Sequence, residues 1–363
     1  MEAPASVQVL SHHAAYVCRR SGACCTAGWR IPVEPDRVPA IRTLRHERAV
    51  FEDGTTMLRL APAGACVLYE PGAADRRGGC LAHRTRGHAA LPSACRHFPR
   101  IYLHDAHATR LTLSHFCPTA ASLLFEREPL RIGEAPIALA ALGDREGLDA
   151  RDALPPLLHP GMLMDAASYA AWEAQAVAAL AGDGTPEDAL RRIAASAERL
   201  RSWSPASMSL MEAVRGAGEA GDEDVPVPGV FRGAEGSAWL ADAAFASVPS
   251  DLTVDRGPLD VNADGRFVVP VWAEFAAPVR RYLAGRLFGS WVAYQGRGLR
   301  TVVASVACAL AVLRIEAARA CAAARRPLDA ALLTEAIRQA DLLLVHRADR
   351  QILAGRLSQV EKR

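Results

Sequence analysis

Hydrophobic and polar positions change rhythm near residue 119 of this 363-residue chain. Before that point apolar residues come in short alternating runs broken by Gly, Pro and charge, which is the period of brief strands. After it they recur every three to four residues, the period of helices buried on one face. Residues 57–69 and 100–114 read as hairpins, turning around Ala61-Pro62-Ala63-Gly64 and Asp105-Ala106. Residues 119–126 start a helix just after Cys117-Pro118, and a linker rich in Gly and Pro leads to a helical segment over 165–180. Thr185-Pro186-Glu187-Asp188 supplies an N-cap, a proline at the first helical position and an acid at the third, so a helix is expected from there to about Trp203. Residues 208–215, 271–291, 299–324 and 328–357 complete the helical set. Within it Trp272, Phe275, Tyr282, Phe288 and Trp291 form a stripe that reads as core, and Pro278 marks a kink or a start. The expected fold class is mainly α. An irregular Cys-rich metal-binding module with short β-hairpins covers residues 1–125, and a mainly helical domain covers 126–363, with a Gly/Pro-rich loop near 216–260.

Composition narrows the function. Half of the residues are apolar, enough for two cores in a chain of this length. Formal net charge is +2, but residues 1–117 carry 15 arginines against nine acids. No Lys/Arg run is interleaved with stacking aromatics, so nucleic acid is not an expected partner. The single lysine, Lys362, excludes a P-loop lysine and a Schiff-base or pyridoxal-phosphate anchor. A formal GxGxxG at Gly216, Gly218 and Gly221 lacks the strand before it and the helix after it that a dinucleotide site needs. The start has no basic region followed by an apolar core, and the longest apolar stretch, 301–313, is short for a bilayer. The expectation is a cytoplasmic protein without a membrane partner.

Seven of the nine cysteines fall at Cys18, Cys24, Cys25, Cys66, Cys80, Cys95 and Cys117, and nine of the eleven histidines lie in the same stretch. Thiols gathered from distant parts of a chain are the signature of a metal site. The C-x2-C pairs of zinc ribbons are absent. Seven thiols against four ligand positions fit an iron–sulfur cluster better than one minimal zinc site; the expected cofactor is a [4Fe–4S] cluster, with zinc as the alternative. Cys24 and Cys25, being neighbours, are expected to diverge and not to share an ion. His83, His97 and His115 sit two or three residues from a cysteine and read as supporting or surface groups, as do His104 and His107 near a hairpin turn. Cys308 and Cys321 read as core thiols.

The segments YVCRRSGACCTAGWRIPV, GACVLYEP, GGCLAH, LPSACRHFPR and LTLSHFCPTAASLLF carry a family resemblance. In order and spacing they resemble the cysteine-cluster proteins described as zinc- or iron-chelating, most closely the flagellin lysine-N-methylase branch. Cys24-Cys25 with Trp29, Cys95 with Phe98-Pro99-Arg100, and Cys117-Pro118 before a helix carry it. The later part is similar through RRYLAGRLFGSW and EAIRQADLLLVHRADRQ. The resemblance implies a metal-cluster protein that uses S-adenosylmethionine to methylate lysine on a flagellin-like protein substrate, with the seven cysteines as matched positions. One departure stands out: where that family has C-x2-C-x2-CC, this chain has Cys18, Ser21 and Cys24-Cys25. Serine is a poor iron ligand.

Methylation would require a deprotonated lysine amine, for which Tyr69, Tyr102 and Glu70 lie near the cysteines in sequence. The alternative is a non-enzymatic zinc- or iron-binding module that organises a helical domain for a protein partner, since metals replace hydrophobic core in small loop-rich modules. In the last helical segment, His346 and Arg347 could reach toward the metal domain, with capping or salt-bridging as the favoured reading.

Overall fold

The computed structural model describes residues 6–29, 31–45, 50–52, 56–61, 64–72, 78–140, 147–219, 225–250, 252 and 257–362. Helices dominate, as the period-3.6 patterning requires. Pro62, Ala63 and Gly221 of the expected turn and glycine motif lie outside the described residues.

The hairpin over 100–114 is borne out, with Arg100–His104 paired antiparallel to Thr109–Leu113. It forms the middle of a five-stranded mixed sheet. Val7–Leu10 lies parallel to Thr109–Leu113, and Ile132–Glu134 and Gly147–Asp149 form the two edges. The sheet therefore draws strands from both sides of residue 125. All five residues of Thr109–Leu113 are buried, and so is the charge that Arg110 brings with it. Arg110 is held between Asp105 and Glu173, its Nε donating to Glu173 Oε2 at 2.7 Å. Tyr294 donates its hydroxyl to Asp105 at 2.7 Å and Gly289 its amide to Glu173 at 2.9 Å, so the buried charges are paired and bonded.

Of the hairpin expected over 57–69 the tip forms: the antiparallel Leu60–Cys66 bridge is flanked by the Val67 amide donating to the Arg59 carbonyl at 3.0 Å and the Ala61 amide to the Ala65 carbonyl at 2.7 Å. Its ends pair elsewhere, Thr56–Leu58 with Ile31–Pro32 and Val50–Glu52, and Tyr69–Glu70 with Gly79–Cys80. Such short strands have too few ladder bonds to stand alone, and they close over a small core of Ile31, Ile41, Leu58, Leu68 and neighbouring thiols.

Leu299–Ala324 runs through the centre of the helical part, buried along most of its length, between Pro186–Arg201, Gly233–Phe245, Ala276–Leu287 and Ala330–Asp341. It is apolar and long enough to cross a membrane, but 83% of its apolar window is buried inside the protein, which makes it a core helix. Removing a large side chain such as Leu313 there is expected to cost about 2–5 kcal/mol. Cys308 and Cys321 are fully buried in it, as core thiols. Trp272, Tyr282 and Phe288 are buried, with Phe275 and Trp291 packed against the same core.

The capping box at Thr185 and Asp188 forms as read, and its helix ends at Arg201. Two expectations need correction. Leu210–Glu219 continues through Gly216 and Gly218, where a loop was expected. The Gln175 side-chain amide packs over Gly218, 2.6 Å from where a Cβ would stand, so the glycine is accommodated within the helix and does not break it. Residues 328–357 are not one helix. Ala330–Asp341 widens into a π-helical stretch, Leu342–Arg347, and restarts at Arg350 because Asp349 caps the Gln351 and Ile352 amides.

Candidate metal centre and the adjoining cleft

Five of the seven expected ligands converge. Cys24 and Cys25 sit on the single helical turn Ala23–Thr26, Cys66 follows the Leu60 bridge, Cys80 precedes the helix Leu81–Arg86, and Cys95 lies on Ser93–His97. The Cys24 and Cys25 sulfurs are 4.0 Å apart. This corrects the expected divergence, because rotation about Cα–Cβ closes the angle that the backbone opens.

Crowding of thiols shows in their acidities. Cys80 is lowered to about 6, first by the Cys25 thiol donating to its sulfur, against the cost of burial, and further by the His83 and Ala82 amides at the start of its helix. Cys24 is lowered in the same way, while Cys25, as donor, is pushed up. Burial raises Cys66 to about 11, although the Leu68 amide points at its sulfur from 3.5 Å. Burial, with the neighbouring Cys24, Cys80 and Cys66, also pushes Cys95 well up. Without a cation the group keeps most of its protons.

Cys18 and Cys117 are elsewhere, around Tyr16. The Tyr16 hydroxyl is 3.9 Å from the Cys117 sulfur, and burial, then the two thiols, push the phenol up. Cys117 stands at the start of Pro118–Ser122 with the Thr119 and Ala120 amides directed at it, yet burial raises its thiol. Cys18 is exposed.

A cleft of about 590 Å³ is lined by Ala94 and His97 of the helix that carries Cys95, by Trp29, Phe98, Arg100 and Tyr102, and by Val345, His346 and Arg350, but by no cysteine. A second cavity of about 430 Å³, among the helices near Trp172 and Arg199, is lined by no cysteine or histidine. His346 reaches the cysteine-rich module, the bolder of its two readings. The widened turn carries it to the module, where its ring lies 4.4 Å from Trp29 and its Nε2 is 2.7 Å from Ser114 Oγ. Ser114 has one proton and gives it to Asp341 Oδ2 at 3.1 Å. The short contact is therefore His346 Nε2–H donating to Ser114, which leaves Nδ1 with the lone pair. Burial holds this imidazole down to about 4, against the opposing effect of Asp341.

Of the remaining histidines, His83 and His88 form a ring pair, His97 is buried, and His107 is exposed. His104 meets Thr109 Oγ1 at 2.9 Å. His115 is buried in a separate group with His12 and His13, two residues that sequence reasoning did not single out. An adjacent histidine pair directly after an apolar strand was the available signal. Among the tentative bases, Tyr102 lines the cleft, whereas Glu70 pairs with Arg84 and Tyr69 packs in the small core.

No family model, no curated protein and no solved structure matches this chain.

Proposed function

We propose that this chain is an iron–sulfur protein that methylates lysine side chains of a protein substrate with S-adenosylmethionine. Cys24, Cys25, Cys66, Cys80 and Cys95 offer the cluster ligands, and the cleft lined by Trp29, Phe98 and His346 takes the methyl donor and the lysine. The observation that carries the first half is the convergence of thiols from five positions, with amide N–H groups directed at the Cys66 and Cys80 sulfurs. The surplus of thiols over the four positions of one zinc ion favours a cluster.

When bound, such a cluster supplies an electron-poor site for the amino and carboxylate groups of a methionine-derived cofactor. The chain's own contribution is apolar and aromatic walls from Trp29 and Phe98, a guanidinium at Arg100, and an imidazole at His346 that lines the cleft. The methyl-transfer half rests on the resemblance of the cysteine segments and on the position of the cleft. Labelled S-adenosylmethionine, offered with a flagellin and with a bacterial lysate to anaerobically purified protein, tests it. Label on lysine supports the reading, and no transfer to any protein contradicts it.

The second reading, a metal-organised binding module without catalysis, is favoured by the smallness of the core around the thiols, which counts Cys25 and Cys66 among its buried members. It predicts that chelation melts this region and that no cofactor yields turnover.

A further inference from the structure

The Val7–Leu10 strand ends in the one-turn helix Ser11–Ala14, which buries His12 and His13 completely. His115, on the segment after Thr109–Leu113, is 1% exposed and meets them from the other side. The Nε2 atoms of His13 and His115 are 3.0 Å apart, and the His12 and His13 ring centroids 4.2 Å. One ring nitrogen from each of the three lies within 4.8 Å of the other two, the one such group among the described residues.

Helix Ala276–Leu287 closes over the trio. A Cβ at Gly285 would stand 2.9 Å from His115 Cε1 and 3.3 Å from His13 Cε1, so only glycine lets the helix pass this close. The rings are poorly satisfied for groups so deeply buried. Both nitrogens of His12, and Nδ1 of His13 and of His115, have no hydrogen-bond partner. Leaving such atoms unpaired is costly, and buried polar groups are bonded in the great majority of cases. Burial, with neighbouring histidines and Arg286, keeps all three imidazoles neutral, which is the form that binds metal. Arg286 is itself turned toward Asp341, 3.6 Å away.

We propose that His12, His13 and His115 form a second metal site, separate from the thiols, for a divalent first-row transition ion of the iron(II) or zinc(II) class. The ion joins the sheet to the helical layer at the point where Gly285 admits it. An ion 2.0–2.1 Å from both Nε2 atoms subtends roughly 95° at the metal, closer to the right angle of six-coordination than to a tetrahedron. Three neutral nitrogens suit such ions and not the hard oxygen-seeking Mg²⁺ or Ca²⁺.

Cobalt(II) titration of metal-depleted protein, without oxygen, separates the two sites by spectrum. Cobalt at the trio gives ligand-field absorption without thiolate charge transfer, whereas cobalt at the cysteines shows both. The expected result is one equivalent of the first kind, weakened in His115→Gln and in His13→Gln by more than the roughly 10–100-fold that a lost outer partner alone costs. The thiolate bands of both variants stay as in wild type. X-ray absorption on the wild-type cobalt protein serves if the variants do not fold, and a cobalt population with only nitrogen and oxygen neighbours is expected. Bound cobalt that all carries sulfur, or folded variants that bind it as wild type does, overturns the proposal.

Discussion

The Nε2 of His346 lies 2.7 Å from the Oγ of Ser114, across 232 positions of sequence. This contact fastens the end of the helical part to the strand that leads to Cys117, and it completes one wall of the cleft. It also fixes which nitrogen carries the lone pair. His346→Gln keeps a donor for Ser114 but removes the ring packed on Trp29 in the cleft wall, so methyl transfer is expected to fall while iron and sulfide content stay at the wild-type level. Turnover and metal analysis on the same preparation check this.

The same imidazole ties stability to pH. Its folded value, about 4, is below the roughly 6.5 of an unfolded histidine, so the unfolded chain binds the extra proton between these limits. Stability from this group is therefore present above about pH 6.5 and is lost as pH falls toward 4. In metal-depleted protein, His346→Gln is expected to flatten the dependence of unfolding free energy on pH by about 1.4 kcal/mol per unit in that window. Denaturant titrations at several pH values measure the slope.

Glu173 and Asp105 share Arg110 in a site where all three side chains are 2–3% exposed. Glu173→Gln leaves the guanidinium with one carboxylate and is expected to destabilise the protein by about 3–5 kcal/mol. Replacing a surface partner such as Asp149, in its exposed pair with Arg151, is expected to leave stability close to that of the wild type. Chemical unfolding of both variants provides the comparison.

In metal-depleted protein Cys80 is the thiol to be attacked first. Its acidity near 6 means that alkylation by iodoacetamide reaches half its limiting rate near that pH, whereas Cys66, near 11, reacts only in strong alkali. Peptide mapping after brief labelling at neutral pH is expected to find Cys80 modified and Cys66 intact. Bound metal protects both.

Much of this architecture is legible in the residues. Alternation across 100–114 dictates the hairpin, and Thr185-Pro186-Glu187-Asp188 dictates a helix start, because both are local effects. Continuous apolar periodicity concealed the break at Asp349, since a cap inside a helical pattern looks like any exposed acid. Cysteine counting placed the thiol group in the right part of the chain. It did not separate Cys18 and Cys117 from the other five, because spacing carries no information on which side of the sheet a segment lands. The trio of His12, His13 and His115 was illegible for a related reason: its partners are about 100 residues apart and meet only through the parallel pairing of the first strand.

The central claim, an iron–sulfur cluster on the five gathered thiols, is tested most directly by purifying the protein without oxygen and measuring its visible spectrum with its iron and sulfide content. The expected result is a brown protein with equal iron and sulfide, absorbing near about 400 nm, whose colour is lost in Cys95→Ser and kept in Cys308→Ser. A colourless wild-type protein that holds zinc and no sulfide would contradict it.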